Sequence, residues 1–301
     1  MMKVFMTGGS GFVGTYLSRK LARQGHEITI LSRQETPNPP EEPRIRFLTG
    51  DPTKEGPWMA AVIEHDWIIN LAGASLFTHW SEARKREIHD SRIQTTRNLV
   101  AALEQGDRHQ LLCSTSAIGY YGARGDEDLF EDASPGDDFL SHLAREWEAE
   151  ALKAQDLGLR VVVTRFGIVM GKNGGALAQM ARAFKMFVGG QLGSGEQWFS
   201  WIHQEDQARA FIFVKDHPEI AGEVNFTSPH PVRNRELTQA LGRTLSRPTF
   251  MTAPAFMLRL VLGEFAEAIL TGQKVLPQRL LDAGFEFHYP DIDQALRDLL
   301  G

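Results

Sequence analysis

A glycine-rich stretch near the start of the sequence gives the first indication of chemistry. Residues 7–14 read TGGSGFVG, directly after a short apolar run and directly before an amphipathic one. Glycines at such a turn let the chain bend sharply and let a pyrophosphate approach the backbone, while free N–H groups at the start of the helix attract the anion. We therefore predict a strand–turn–helix unit that binds a dinucleotide. The predicted contacts are Gly8, Ser10, Gly11, Phe12, Val13 and Gly14.

The end of the next predicted strand indicates which dinucleotide is bound. An NAD enzyme commonly carries Asp or Glu there to bind the ribose hydroxyls, whereas this sequence has Ser32 and Arg33. A guanidinium beside a hydroxyl suits a 2′-phosphate, so we expect NADP rather than NAD. Small residues at the ends of two later strands are expected to let the cofactor pass closely, namely Leu71, Ala72, Gly73 and Ser114.

The segments that must position this turn alternate between strand-like and helix-like patterns. Short β-rich runs are predicted at residues 3–7, 27–32, 46–49, 67–70, 110–114 and 160–165. Amphipathic helices are predicted at residues 12–24, 58–64, 81–104 and 138–155, and a proline-rich surface loop at 34–43. This alternation predicts an α/β fold of the Rossmann type, with a doubly wound parallel sheet covered on both faces.

The character of the sequence changes after Arg165, where glycine-rich stretches are followed by helical patterns interrupted by prolines. We predict a dinucleotide-binding domain at residues 1–165, to which residues 203–228 return. The remaining segments, 166–202 and 229–301, are predicted to form a smaller, mainly helical substrate or cap domain.

The composition restricts the class of protein. The 301 residues contain 32 Lys and Arg against 38 Asp and Glu, and the net charge of −6 disfavours a nucleic-acid partner. The single cysteine, Cys113, cannot form an intrachain disulfide, and neither a signal peptide nor a membrane-spanning stretch is evident. We therefore expect a cytoplasmic protein with a small-molecule substrate, no membrane partner and, given its scattered histidines, no metal site.

Several motifs together resemble a known superfamily. The glycine turn, NLAG at residues 70–73 and STSAIGYYG at residues 114–122 resemble the extended short-chain dehydrogenase/reductase superfamily, of the NAD(P)-dependent epimerase/dehydratase type. The second half is similar to one subgroup of sugar-nucleotide epimerases that has its own short C-terminal domain and no settled substrate. The motifs that carry this likeness are TRFGIV (164–169), GGAL (174–177), GGQLGSG (189–195), WFSWIH (198–203), GQKVLP (272–277) and GFEF (284–287).

The resemblance implies a catalytic site, and the sequence departs from it. In the superfamily a Ser or Thr after the fifth strand polarises the substrate oxygen, and Ser116 matches that position. A Tyr-x-x-x-Lys pair supplies the acid/base, but the corresponding positions fall near Leu140 and Ala144. Neither side chain can transfer a proton, so the usual mechanism is in question.

Three substitutes for the missing pair are open. Tyr121, or its neighbour Tyr120, could reach the same space from the loop after the serine. His142 and Arg145 could supply a proton or a charge, and His203 could act from the cap side. The alternatives are that the tyrosine packs in the core, that His142 and Arg145 lie on a solvated helix face, and that His203 caps a helix.

Residues of the second half are expected to border the substrate. Gln197, Trp198 and Trp201 could form an apolar wall with hydrogen-bonding groups, or a structural aromatic cluster. Arg165 could bind a substrate phosphate or a structural carboxylate. Ser91 and Arg92 match a subgroup motif that could lie near the cofactor.

These observations predict an NADP-dependent oxidoreductase or epimerase that acts on a nucleotide-sugar-like or other small carbonyl compound by hydride transfer. The alternative is a non-catalytic NADP(H)-binding sensor that has lost the Tyr-x-x-x-Lys pair. A homodimer formed by the two long helices, 81–104 and 138–155, is expected by analogy only.

Overall fold

The computed structural model describes residues 1–34, 42–104, 106, 110–172 and 174–301. Its strands are β1 Lys3–Thr7, β2 Glu27–Ser32, β3 Ile45–Thr49, β4 Trp67–Asn70, β5 Leu111–Ala117, β6 Asp128–Leu129, β7 Arg160–Phe166, β8 Ile168–Met170, β9 Gly190–Leu192, β10 Trp198–Phe199, β11 Trp201–His203, β12 Gly222–Phe226, β13 Val232–Arg233, β14 Met251–Ala253 and β15 Lys274–Val275.

The helices alternate with these strands in the first half and dominate the end of the chain. They are α1 Phe12–Arg23, α2 Met59–Val62, α3 Glu82–Leu103, α4 Phe139–Leu152, α5 Gly175–Lys185, α6 Gln204–Asp216, α7 Asn234–Leu245, α8 Ala255–Leu262, α9 Phe265–Leu270, α10 Gln278–Asp282 and α11 Ile292–Leu300. Two short 3₁₀ turns lie at Ile118–Tyr121 and Lys153–Gln155.

A seven-stranded parallel sheet in the order β12-β7-β5-β4-β1-β2-β3 forms the centre of the molecule. Along β1, Val4 and Met6 pack on the side of α1 and α6, whereas Phe5 packs on the side of α2, α3 and α4. Because both faces are covered, these strands are apolar throughout rather than alternating. The predicted doubly wound α/β fold is confirmed.

The C-terminal half adds a second core and several short strand pairs. Trp201 and Met170 pack there with side chains of α5, α7 and α11. Pairs β8–β11, β9–β14, β10–β13 and β6–β15 link distant parts of the chain. Within residues 203–228, helix α6 contacts α1 and strand β12 pairs with β7 in the large sheet.

Most predicted element bounds differ from the structure by up to three residues, and two of the differences have a clear local cause. The helix predicted at 58–64 contains only four residues. At its two ends the backbone N–H groups bond to the carbonyl three residues earlier, as in a tight turn: Ala61 to Trp58, and Glu64 to Ala61. Strand β5 extends past Ser114 to Ala117, because Thr115, Ser116 and Ala117 pair with the end of β7. The loop predicted at 34–43 lies largely outside the described residues.

Two features are absent from the described part of the chain. None of its helices is long and apolar enough to span a bilayer. No group of three or more His, Cys, Asp or Glu side chains in it is arranged to hold a metal ion.

Candidate functional site

The glycine turn has the geometry that close approach of a phosphate requires. Gly8 has φ +66°, and a Cβ placed on it would lie 2.6 Å from the backbone carbonyl of Leu71. A Cβ on Gly14 would lie 2.4 Å from the Gly8 oxygen, so α1 packs directly against the turn. Gly11 precedes α1 without a side-chain cap, and no acidic residue lies in the first turn. The first N–H groups of α1 are therefore suited to an anion.

Phe12, a predicted cofactor contact, directs its ring elsewhere. Cβ atoms placed on Gly171, Gly174 and Gly175 would approach that ring to 2.7, 2.3 and 2.9 Å. The glycines after β8 thus admit the ring against their backbone, which joins α1 to the second half of the chain. The backbone N–H is the part of Phe12 that remains suited to a phosphate contact.

Arg33 and Ser10 line one cavity at the carboxyl end of the sheet. The cavity has a volume of about 410 Å³ and is also lined by Ser32 and Gln34. Ser32 donates its hydroxyl proton to the Gln34 carbonyl at 3.0 Å. Arg33 is exposed and forms no ion pair with the residues that the structure describes. Its guanidinium is therefore available to a ligand phosphate.

Asp51, which the sequence analysis did not identify, lies close enough to Arg33 to interact electrostatically. Burial alone would raise the pKa of the Asp51 carboxyl, but hydrogen bonds from the Thr53 hydroxyl and N–H lower it below its ordinary value. Arg33 contributes to that lowering. Asp51 follows β3 closely, so the position of a carboxylate just beyond the neighbouring strand was the signal that could have identified it.

A buried polar network joins the ends of β1, β4 and β5. Thr7 donates to the Asn70 side-chain oxygen at 2.7 Å, and the Asn70 amide donates to the hydroxyls of Ser114 at 3.1 Å and Thr96 at 2.9 Å. Ser114 is 1% exposed. Its hydroxyl is therefore bound within the protein, and the cofactor contact of Ser114 stays a prediction. Ala72 is half-buried and Gly73 is exposed at the cleft, as a close cofactor approach requires.

Arg92 supports the loop after β4 from below. Its guanidinium donates to the carbonyls of Ile88 at 2.9 Å and Ala74 at 3.1 Å, and Ser91 accepts a hydrogen bond from the Ala74 N–H at 2.9 Å. A Cβ on Gly73 would lie 2.9 Å from the Arg92 Cζ. Burial lowers the pKa of Arg92 to about 10. The Ser91 and Arg92 motif thus lies beneath the predicted cofactor loop.

Ser116 and Arg165, predicted for catalysis and substrate binding, meet at one buried carboxylate. The Ser116 hydroxyl donates to Glu148 Oε1 at 2.6 Å, and Arg165 donates to both Glu148 oxygens at 2.9 and 2.8 Å. Arg165 is 2% exposed and Glu148 5%. Glu148 binds the Arg165 guanidinium, which was the structural alternative to a substrate phosphate, and the substrate role of Arg165 stays a prediction. The Ser116 hydroxyl is likewise engaged within the protein.

The two tyrosines after Ser116 have different environments. Tyr121 is fully buried, donates to the Asn225 side-chain oxygen at 2.7 Å and accepts from Arg165 at 2.9 Å. Burial raises the pKa of Tyr121 to about 12 despite the nearby cation, so the predicted catalytic role does not fit its position. Tyr120 is half-buried, with its ring 3.6 Å from the Arg165 Cζ. Its hydroxyl has no hydrogen-bond partner among the described residues.

Helix α4 presents an apolar surface where the Tyr-x-x-x-Lys pair would lie. Leu140 packs against the 3₁₀ turn at Gly119, and Ala144 is buried. Glu148 follows one turn later on the same side. His142 and Arg145 are exposed, and His142 Nε2 lies 3.0 Å from Asp137. Both therefore lie on the solvated face of the helix, which was the alternative to a catalytic role.

Of the predicted substrate wall, only part lies near the surface. Trp201 is fully buried and donates to the His230 carbonyl at 3.1 Å, as expected for the structural alternative to a substrate contact. Trp198 is half-buried, with its ring 4.0 Å from the Arg233 Cζ and its indole N–H bound to Asp126. Gln197 donates to the Leu192 carbonyl at 3.0 Å, and its side-chain oxygen is buried without a partner among the described residues.

His203 caps a helix. Its Nδ1 accepts from the Glu205 N–H at 3.1 Å at the start of α6, and its ring stacks on Tyr289 with centroids 3.9 Å apart. It is 2% exposed, and burial holds its pKa below the ordinary value. His203 thus has the helix-capping role that was the alternative to an acid/base or substrate role, which stays a prediction.

Comparisons with known proteins agree with the glycine turn and the sheet. The profile of the NAD dependent epimerase/dehydratase family matches residues 4–225, and a domain of unknown function (DUF1731) matches residues 253–299. The Arabidopsis thaliana protein "Epimerase family protein SDR39U1 homolog, chloroplastic" is 41% identical over 99% of this chain and 87% of its own length. The Bacillus subtilis "Epimerase family protein YfhF" is 37% identical over 99% of this chain and 98% of its own length.

A solved structure extends the likeness to three dimensions. The crystal structure of human epimerase family protein SDR39U1 (isoform 2) with NADPH has a TM-score of 0.87 and 31% identity, with 99% of both chains covered. The family profile covers most of this chain, and its relatives match nearly the whole of it. The chain therefore belongs to the NAD-dependent epimerase/dehydratase family.

Proposed function

We propose that the protein is an NADP(H)-dependent oxidoreductase or epimerase that acts on a small carbonyl or hydroxyl compound, of the nucleotide-sugar type or a related one. The observation that carries the cofactor assignment is the exposed guanidinium of Arg33, in one cavity with Ser10 and Ser32. NADPH in the human SDR39U1 structure supports the same choice.

The residues that would hold NADP(H) follow from the turn and the strand ends. Gly8 and Gly14 leave room for the pyrophosphate, which the first N–H groups of α1 would bind. Arg33 and Ser32 would bind the 2′-phosphate, and Asp51 would accept a hydrogen bond from the adenine amino group. The cofactor, when bound, would supply the hydride chemistry.

In this proposal Tyr120 transfers a proton to the substrate. Its hydroxyl is not engaged by the described part of the protein, and its ring lies against the Arg165 guanidinium. A cation over the ring face stabilises the position of the aromatic group, and Glu148 in turn fixes that cation. Tyr120 therefore replaces the absent tyrosine of α4 in this proposal, and Arg165 positions its ring.

The cofactor assignment is tested by replacing Arg33 with alanine. Loss of a charge-assisted contact costs about 1.5–3 kcal/mol, so NADPH affinity should fall by about 10- to 150-fold, whereas NADH affinity should hardly change. Titration calorimetry with both cofactors measures this difference. Arg44→Ala, which removes an exposed cation just before β3, is the matched control. Equal losses for NADPH and NADH would contradict the assignment.

The proton-transfer role is tested by Tyr120→Phe. Turnover should fall by at least about 100-fold while NADPH affinity is retained. Because the substrate is unidentified, the assay is NADPH oxidation in the presence of a panel of carbonyl compounds that includes nucleotide-linked keto sugars. Tyr121→Phe is the control, and its turnover should remain near that of the unmodified protein. If Tyr120→Phe retained its turnover, another group would have to transfer the proton to the substrate.

A second candidate function, a non-catalytic NADP(H) sensor, is favoured by one observation. The catalytic positions of α4 are Leu140 and Ala144, and the Ser116 hydroxyl is bound to Glu148. A sensor would bind NADPH with the Arg33 dependence described above and would oxidise it with no carbonyl compound of the panel. The same two experiments therefore separate the candidates.

A further inference from the structure

A large apolar surface lies on the C-terminal half of the molecule. We define the apolar surface as residues 186–188, residues 250–251 and four side chains of α8, namely Phe256, Met257, Leu260 and Val261. Their exposed fractions run from 42% at Met251 to 82% at Leu260. Helix α8 contains no buried residue at all. A helix with so many apolar side chains in water indicates a partner that covers it.

The three parts of this surface are brought together by the fold. Strand β14 pairs with β9, which places Met251 opposite Gly190 and so sets residues 250–251 beside residues 186–188. The guanidinium of Arg247 lies 4.7 Å from the ring centre of Phe187. Helix α8 begins directly after β14 and Pro254. The three parts therefore lie on neighbouring segments of the fold.

The charge of this patch is opposite to that of the whole protein. Residues 175–193 and 245–263 contain four cations and no Asp or Glu, in a chain whose net charge is −6; Glu264 and Glu267, just beyond them, pair with Lys85 and Arg259. Arg259 is paired with Glu267, whereas Arg182, Lys185 and Arg247 have no ion pair within the described part of the chain. The Arg247 Nε is buried without a hydrogen-bond partner there, and Arg247 lines a cavity of about 470 Å³ with Ser246 and Thr249.

We propose that the apolar surface docks on an anionic phospholipid bilayer, with α8 lying in the headgroup region and the neighbouring cations on lipid phosphates. Exposed apolar side chains ringed by Lys and Arg are the pattern of helices that lie in the membrane interface. A second copy of the chain is disfavoured as the occupant because symmetric docking would bring the unpaired cations together. The expectation of no membrane partner rested on the lack of a spanning segment, which surface docking does not need.

Vesicle co-sedimentation tests the proposal. The full-length protein should bind vesicles of phosphatidylcholine and phosphatidylglycerol (3:1), should bind pure phosphatidylcholine at least about tenfold more weakly, and should dissociate as salt is raised. Phe256→Ser with Leu260→Ser should weaken binding at least about tenfold. Ile63→Ser, at an exposed apolar position directly after α2, is the matched control and should bind as the unmodified protein does.

The cation contribution is tested separately. Arg182→Gln with Lys185→Gln should reduce binding to the anionic vesicles by about fivefold for each cation, with Arg44→Gln as control. Thermal unfolding and NADPH binding should be unchanged in all these variants, since the replaced side chains are exposed and are not among the residues proposed to hold NADP(H). The proposal is overturned by three results: no vesicle binding, equal binding to neutral and anionic vesicles, or a dimer in solution that Phe256→Ser dissociates.

Discussion

The buried ion pair of Arg165 and Glu148 allows a quantitative prediction from the structure. Glu148→Gln keeps the shape of the side chain but removes the charge that two hydrogen bonds from Arg165 and one from Ser116 now stabilise. Breaking a buried pair from one side costs about 3–5 kcal/mol because the remaining charge is left uncompensated. The glutamine retains one acceptor oxygen, so we expect the lower end, a loss of about 3 kcal/mol in the free energy of unfolding.

The measurement is chemical denaturation, supported by thermal unfolding, in which this loss corresponds to a fall of about 5–10 °C. Glu146→Gln is the matched control: its carboxylate is exposed on the same helix, 2.9 Å from His89 Nε2, and its loss should change stability by less than about 0.5 kcal/mol. Glu148→Leu, Arg165→Met and the variant that combines them form a separate double-mutant cycle, with an expected coupling of at least about 2 kcal/mol. A loss below about 1 kcal/mol for Glu148→Gln, or no coupling, would show that solvent reaches the pair and would refute the reasoning.

Two further predictions concern the glycine turn and pH. Gly8→Ala should weaken NADPH binding at least about tenfold in calorimetry, because φ of Gly8 is +66° and the added Cβ would lie 2.6 Å from the Leu71 carbonyl. An affinity like that of the unmodified protein would contradict the close approach of the cofactor to this turn. His203 has a lowered pKa in the folded protein, so the unfolded chain binds more protons as the pH falls through about 6.5, and stability should fall as pH drops from 7.5 to 5.5. His203→Asn keeps a helix-capping side chain and should reduce that fall in Tm. Part of the fall should remain, because burial also lowers the pKa values of His26 and His65. If the Tm of His203→Asn fell with pH as much as that of the unmodified protein, the pH dependence would come from other groups.

The fold and the glycine turn were predictable because the sequence patterns that indicate them involve only neighbouring residues. The strands at Lys3–Thr7, Glu27–Ser32 and Trp67–Asn70 have the predicted bounds, since continuous apolar runs define strands that are buried on both faces. The turn of Gly8 and Gly14 requires glycine for reasons of backbone geometry alone. Short strands such as β9 and β14 were missed because two or three residues carry no periodicity and pair with distant partners.

The candidate site was predictable only in part because a strand end does not reveal which partner a side chain meets. Ser116 and Arg165 pair in register on β5 and β7 and therefore point to the same face of the sheet. Which residue of α4 opposes them depends on how the helix packs, and no local pattern indicates that Glu148 lies there. His203 illustrates the same limit, since its role as a cap depends on where α6 begins.

The ring of Phe12, seated among Gly171, Gly174 and Gly175, has a mechanical consequence. It extends from the first turn of the phosphate-binding helix, yet it supports the segment from which α5 and the rest of the second half depart. If that segment moves, the Phe12 ring must leave its contacts with the glycines. The backbone of Phe12 lies in the first turn of α1, where we propose that the pyrophosphate binds. Phe12 therefore connects the two parts of the molecule. We expect an anion bound at the start of α1 to restrict the movement of the second half through this ring.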